Sequence, residues 1–127
     1  MARYQFYFAM FPKKGLLKIK GELPSNVSFN EETGYFEEDS NIFWKSSNIN
    51  STDIISSIDN ILPRANWFKN DGISFIWKIE NELIDNDAWI CLDDNKEFIK
   101  QFSFRIDLRN SNIIFLTKML NIAEEYD

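Results

Sequence analysis

Phe102-Ser103-Phe104-Arg105-Ile106-Asp107-Leu108-Arg109 alternates apolar and polar side chains without a break. Successive side chains of a strand point to opposite faces of its sheet. The run therefore puts Phe102, Phe104, Ile106 and Leu108 on one face, and Ser103, Arg105, Asp107 and Arg109 on the other. The period then changes. After a capping residue at Asn110 or Ser111, the apolar residues Phe115, Leu116, Met119, Ile122 and Ala123 share one stripe of a helix over about 111–124. A strand with one apolar face, followed by a helix with one apolar stripe, buries the two against each other.

The same alternation recurs outward from this stretch. Ile73, Phe75, Trp77 and Ile79 alternate with Ser74, Ile76, Lys78 and Glu80. Asn70-Asp71-Gly72 suits a tight turn with positive φ, which would pair residues 66–69 with 73–80. A polar loop over 81–87 leads into a strand at 88–92, and Asp93-Asp94-Asn95-Lys96 turns the chain again. Near the start, Tyr4, Phe6, Phe8 and Met10 oppose Arg3, Gln5, Tyr7 and Ala9. Pro12-Lys13-Lys14-Gly15 ends that strand, and residues 16–20 read as a second short one. Glu32-Thr33-Gly34 reads as a hairpin tip between 27–29 and 35–37, and 42–45 as another short strand. Ile54, Ile55, Ile58, Ile61 and Leu62 then form a helical stripe over 52–62, capped by Ser51 or Thr52 and stopped by Pro63.

These elements predict an α+β domain over 1–127, a mainly antiparallel sheet with the helices at about 52–62 and 111–124 packed on one face. The halves 1–63 and 64–127 both end in a strand followed by a capped helix. An offset of 61 sets Phe43 over Phe104, Ile58 over Met119 and Ile61 over Ile122, the pattern of an old βββα duplication.

Composition excludes much chemistry. The 127 residues contain no histidine and one cysteine, so there is no Ser-His-Asp triad, no Cys-His pair, no His-ligated zinc and no disulfide framework. Four glycines, at 15, 21, 34 and 72, form neither a Walker motif nor a dinucleotide fingerprint. Asp85-Asn86-Asp87 opens like a calcium loop, but Trp89 and Ile90 stand where a ligand and a glycine are required. Cys91, between Ile90 and Leu92, reads as a buried structural thiol, and Trp77 and Trp89 as core or sheet-face packing. No cofactor, metal site or catalytic residue is expected.

The net charge of −6 is unevenly spread. Residues 1–20 hold Arg3, Lys13, Lys14, Lys18 and Lys20 with no acid, and the other nine bases stand against all 20 acids. Acids concentrate in two blocks, one including Glu37, Glu38 and Asp39, the other Asp85, Asp87, Asp93 and Asp94. Two readings stand: solvated loops that keep the chain soluble, or an acidic face for a basic partner. The open side of the sheet, with Arg105, Asp107, Arg109, Lys78, Gln5 and Tyr7, is likewise either a binding surface or a solvated face with cross-strand ion pairs. An acidic chain repels phosphate, so neither nucleic acid nor an anionic membrane is an expected partner. The lone cysteine, and the lack of a cleavable leader or of an apolar run long enough to span a bilayer, predict a soluble cytoplasmic protein.

The 102–109 strand, followed by a helix ending Ala123-Glu124-Glu125-Tyr126-Asp127, resembles small bacterial immunity proteins of polymorphic and contact-dependent toxin systems. The resemblance covers about the last quarter of the chain. It implies a cytoplasmic acidic α+β protein that binds and blocks a cognate toxin, with no functional residue carried over; separately, a monomer or homodimer is expected. A nuclease-type toxin is basic, and an acidic inhibitor would associate with it rapidly. The expected contact residues are Glu37, Glu38, Asp39, Asp85, Asp87, Asp93 and Asp94, with an aromatic such as Trp89 or Tyr35 as anchor. The alternative is a small-molecule-binding protein or carboxylate-based enzyme, with a cleft between sheet and loops that holds a buried acid of raised pKa.

Overall fold

A computed structural model describes residues 5–23, 41–65, 72–80, 84–107, 109 and 114–126. Four strands, β1 (Gln5–Ala9), β2 (Ser74–Glu80), β3 (Asp85–Leu92) and β4 (Ile99–Asp107), form one sheet in the order β1-β4-β3-β2. All three pairings are antiparallel. With helices α1 (Lys13–Lys20), α2 (Asn41–Ser47), α3 (Ser51–Asp59) and α4 (Ile114–Tyr126), the fold is α+β, as the alternating runs predict. No helix among the described residues is long and apolar enough to cross a membrane.

Register makes the sheet two-faced. Phe8 lies opposite Phe104, Phe104 opposite Ala88, and Ala88 opposite Trp77, so one row of the inner face runs across all four strands. Phe8 and Phe104 stack with centroids 4.9 Å apart, and Phe115 of α4 meets Phe104 edge-on at 5.8 Å. Ile54, Ile58, Met119 and Ile122 from α3 and α4 close over this face, together with Trp44 from α2. Each large apolar side chain buried in this way contributes about 1.5–3 kcal/mol.

The helical stripes at 52–62 and 111–124 form as α3 and α4, with shifted ends. Asn50 caps α3 by accepting the Thr52 N–H at 2.9 Å, while Ser51 instead donates its hydroxyl to the Glu97 carbonyl at 3.1 Å. The α-helix ends at Asp59, and a tight turn carries Leu62 into the core ahead of Pro63. The expected caps of α4, Asn110 and Ser111, lie outside the described residues, as do the 27–29/35–37 hairpin and the 66–69 strand. The described neighbour of β2 on its outer side is Arg64, which bridges to Trp77. Arg64 grips Asp59 at 2.9 and 3.0 Å and lies over the Phe75 ring, while the Trp77 indole N–H also donates to Asp59 at 2.8 Å.

Three expected elements are corrected. Residues 16–20 belong to α1, not to a strand. Pro12 precedes the helix, and Gly21, at φ 77°, closes it by donating its N–H to the Leu17 carbonyl. Residues 42–45 belong to α2: Phe43, Trp44 and Ser47 are buried at helical spacing, and Asn48 follows at φ 57°. The 81–87 loop stops early, because β3 begins at Asp85. Thus an offset of 61 now sets Phe43, in a helix, against Phe104, in a strand.

Helices α1 and α2 meet at Gly15. A Cβ there would stand 1.8 Å from the Phe43 carbonyl oxygen, which is rigid backbone. Glycine is therefore required by the close approach. Gly15→Ala is expected to destabilise the protein by about 1–3 kcal/mol, although alanine gains up to about 1 kcal/mol in helix propensity. Urea unfolding reads the sign directly, and a raised midpoint would refute the close crossing.

Candidate functional site

The outer face of the sheet brings the polar halves of the alternating strands together. Two rows cross it. One runs Tyr7, Arg105, Asp87, Lys78, and the next runs Ala9, Ser103, Trp89, Ile76. Strand order alone produces the first row, because β4 and β3 place Arg105 and Asp87 side by side in the middle of the sheet.

The first row is ionic and internally matched. Arg105 Nε donates to both carboxylate oxygens of Asp87 at 3.0 Å, and its Nη2 also bonds to Oδ2. Lys78 Nζ lies 3.2 Å from Asp85 and 3.9 Å from Asp87. The hydrogen bond with Asp87 outweighs burial and raises the Arg105 pKa above the usual guanidinium value. Cross-strand ion pairs therefore do form, and Asp85 and Asp87, only 8% and 9% exposed, are used within them.

The second row is apolar and stands proud. Trp89 is 53% exposed because its neighbours across the ladder are a serine and an isoleucine, too small to cover an indole. Tyr7, 40% exposed, adds a second aromatic surface. A groove of about 340 Å³ runs between the rows, lined by Tyr7, Ile76, Lys78, Asp87, Trp89 and Arg105. Its composition, an aromatic and aliphatic floor with fixed charges along one side, suits recognition of a partner.

The expected acidic residues are not brought together. Asp85 and Asp87 lie at the start of β3, and Asp93 and Asp94 beyond its other end, roughly 25 Å away at the usual rise per residue. Asp93 is half-buried and Asp94 exposed. Burial would raise the Asp93 pKa, but the Glu97 and Phe98 N–H groups, the Asn41 side chain and Lys45 together lower it. Glu37, Glu38 and Asp39 lie outside the described residues. Trp89 is on the sheet face and Trp77 in the core, while Cys91 is half-buried rather than buried. Among the described residues no three His, Cys, Asp or Glu side chains gather as a metal site.

Tyr7, Lys78 and Arg105 belong to the open face that the sequence reads as either binding or solvated, and Ile76 was not among the expected contacts. Alternation assigns each to the outer face, but only the strand order makes them neighbours of Trp89.

At the end of this face, side chains replace the ladder. Pairing of β3 with β4 stops at Asp87 and Arg105. Beyond it the Asp85 N–H donates to the Asp107 carboxylate at 2.8 Å, and the Asp107 N–H donates to Asn86 Oδ1 at 2.8 Å. Arg109 bonds the same carboxylate through its guanidinium and its backbone N–H. Chiefly through the Arg109 side chain, and against burial, the Asp107 pKa falls to about 2. This buried acid is thus held ionised, the reverse of what a general acid needs.

A carboxyl whose pKa is lower folded than unfolded contributes stability that is complete above its unfolded value, about 3.9, and lost as pH falls through its folded value. For Asp107 that window runs from about pH 4 down to about 2. Asp59 and Asp93 are lowered in the same direction, Asp59 chiefly by its bond to Arg64. Asp107→Asn should therefore flatten, but not abolish, the acid loss of stability measured from urea midpoints between pH 6 and 2. An unchanged slope would contradict the assignment. Comparison of the chain with protein-family models, curated proteins and solved structures finds no match, so its role is argued from this site's chemistry.

Proposed function

We propose that the chain is a non-enzymatic binding protein that docks a basic cognate protein on the outer sheet face, with Trp89 as anchor. One observation carries this reading. An indole 53% exposed stands in the middle of a sheet face whose neighbouring charges already satisfy one another. Exposed tryptophans backed by rigid structure are the residue type that most often dominates binding energy. Because Asp85 and Asp87 are neutralised within the sheet, they do not supply a docking patch. The attraction for a basic partner comes instead from the net charge of −6, which acts at a distance and accelerates encounter.

A toxin is the partner this reading favours, supported by the resemblance of the strand and helix at the end of the chain to immunity proteins. Binding would block the toxin by covering the surface through which it acts. The lone free cysteine is consistent with action in the cytoplasm.

Capture from native extract tests the proposal. The wild-type protein should retain a basic protein that salt releases, that is toxic when expressed alone and that is harmless when co-expressed. Trp89→Ala should weaken its binding by about 2 kcal/mol, roughly thirty-fold, without lowering the melting temperature, because the side chain is largely exposed. Equal binding by the variant, or salt-insensitive binding, would overturn the reading.

A further inference from the structure

A second hollow, of about 240 Å³, lies on the inner side of the sheet. The turn after α3, the start of α4 and one end of strands β2–β4 border it, and one side is open to solvent. Its walls are carbon-rich, formed mainly by Leu62, Ile79, Ile84, Ile106 and Phe115. Leu62, Ile106 and Phe115 are buried, whereas Ile114 and Lys118 on α4 are exposed, so the mouth lies on their side.

Three polar residues line this space: Asn86, Asp107 and Lys118. Their unused hydrogen-bonding capacity has one sign. The Asp107 oxygens already accept from the Asp85 N–H and from Arg109. Asn86 Oδ1 accepts the Asp107 N–H, which orients the amide and leaves Nδ2 as a free donor. Lys118 has no hydrogen bond or ion pair with any described residue. Both remaining groups are donors, and one carries a positive charge. The negative charge of Asp107 is matched by Arg109 at 2.7 Å and so does not oppose an anion at Lys118.

An apolar, half-open hollow whose spare polar groups are an ammonium and an amide N–H₂ fits an apolar molecule with an anionic acceptor head. At about 30 Å³ per water the space corresponds to roughly eight waters, hence a body on the order of eight heavy atoms. We propose that this pocket binds a small monocarboxylic acid, its head held by Lys118 and Asn86 and its hydrocarbon body against Ile79, Ile106 and Phe115. The pocket is separate from the Trp89 face and stands or falls independently of it.

Octanoate, octan-1-ol and octylamine, titrated into the full chain, distinguish the head groups on one hydrocarbon body. Calorimetry should show octanoate binding about tenfold or more tighter than either of the others, and the Asn86 side-chain amide should shift in nitrogen-15 spectra. Lys118→Met, an exposed substitution, should bring octanoate down to the level of the alcohol while leaving the alcohol unchanged. The proposal is overturned if none of the three binds, if octanoate shows no preference, if its affinity survives Lys118→Met, or if the shifts cluster around Trp89 instead of Asn86.

Discussion

Arg105 of β4 reaches across the sheet to Asp87 of β3, and Lys78 of β2 reaches the same carboxylate from the other side. One acid thus ties three adjacent strands together on the outer face, while Phe104, Ala88 and Trp77 tie the same strands on the inner face. The arrangement fixes register. A one-residue slip between β3 and β4 would carry Arg105 towards the apolar face and strand Asp87 without its partner. Truncating one member of such a partly buried pair is costly because it leaves the other uncompensated. The helices depend on this register, since α2, α3 and α4 pack only on the face that it makes continuously apolar.

The same interaction divides the electrostatics into two scales. Near the sheet, charges cancel in pairs: Arg105 with Asp87, Lys78 with Asp85, and Arg109 with Asp107. At longer range the excess of acids remains and gives the protein a net negative field. In the proposed complex, steering and docking would therefore belong to different residues. Exposed acids such as Asp94 and Glu97 contribute to the field, whereas in the proposed complex Trp89 and Tyr7 would supply the contact area.

Much of this was legible from alternation alone. The runs around Phe104 and Trp77 correctly divide inner from outer residues, although Ser103 and Asp107 on the outer side of β4 are buried as well. Helices α1 and α2 were not legible in the same way, since seven or eight residues rich in Leu, Ile or aromatics look alike as strand or helix. A cue was present for α1, in the proline before it and the glycine after it, the expected asymmetry of helix ends. The close crossing at Gly15 carries no such cue, because it depends on where Phe43 packs. Nor could the sequence show that Asp85 and Asp87 are spent within the sheet. Acidity is a property of composition, but neutralisation is a property of register, and register depends on a strand order that runs against the order of the chain.

If internally matched charges hold the outer face, Asp87 and Arg105 must be energetically coupled, which a double-mutant cycle on the two measures. Unfolding free energies of the wild type, Asp87→Ala, Arg105→Ala and the double variant should give a coupling of about 1–2 kcal/mol, as expected for a bidentate, partly buried pair. A coupling below about 0.3 kcal/mol would mean that the two side chains act independently, and would contradict the account.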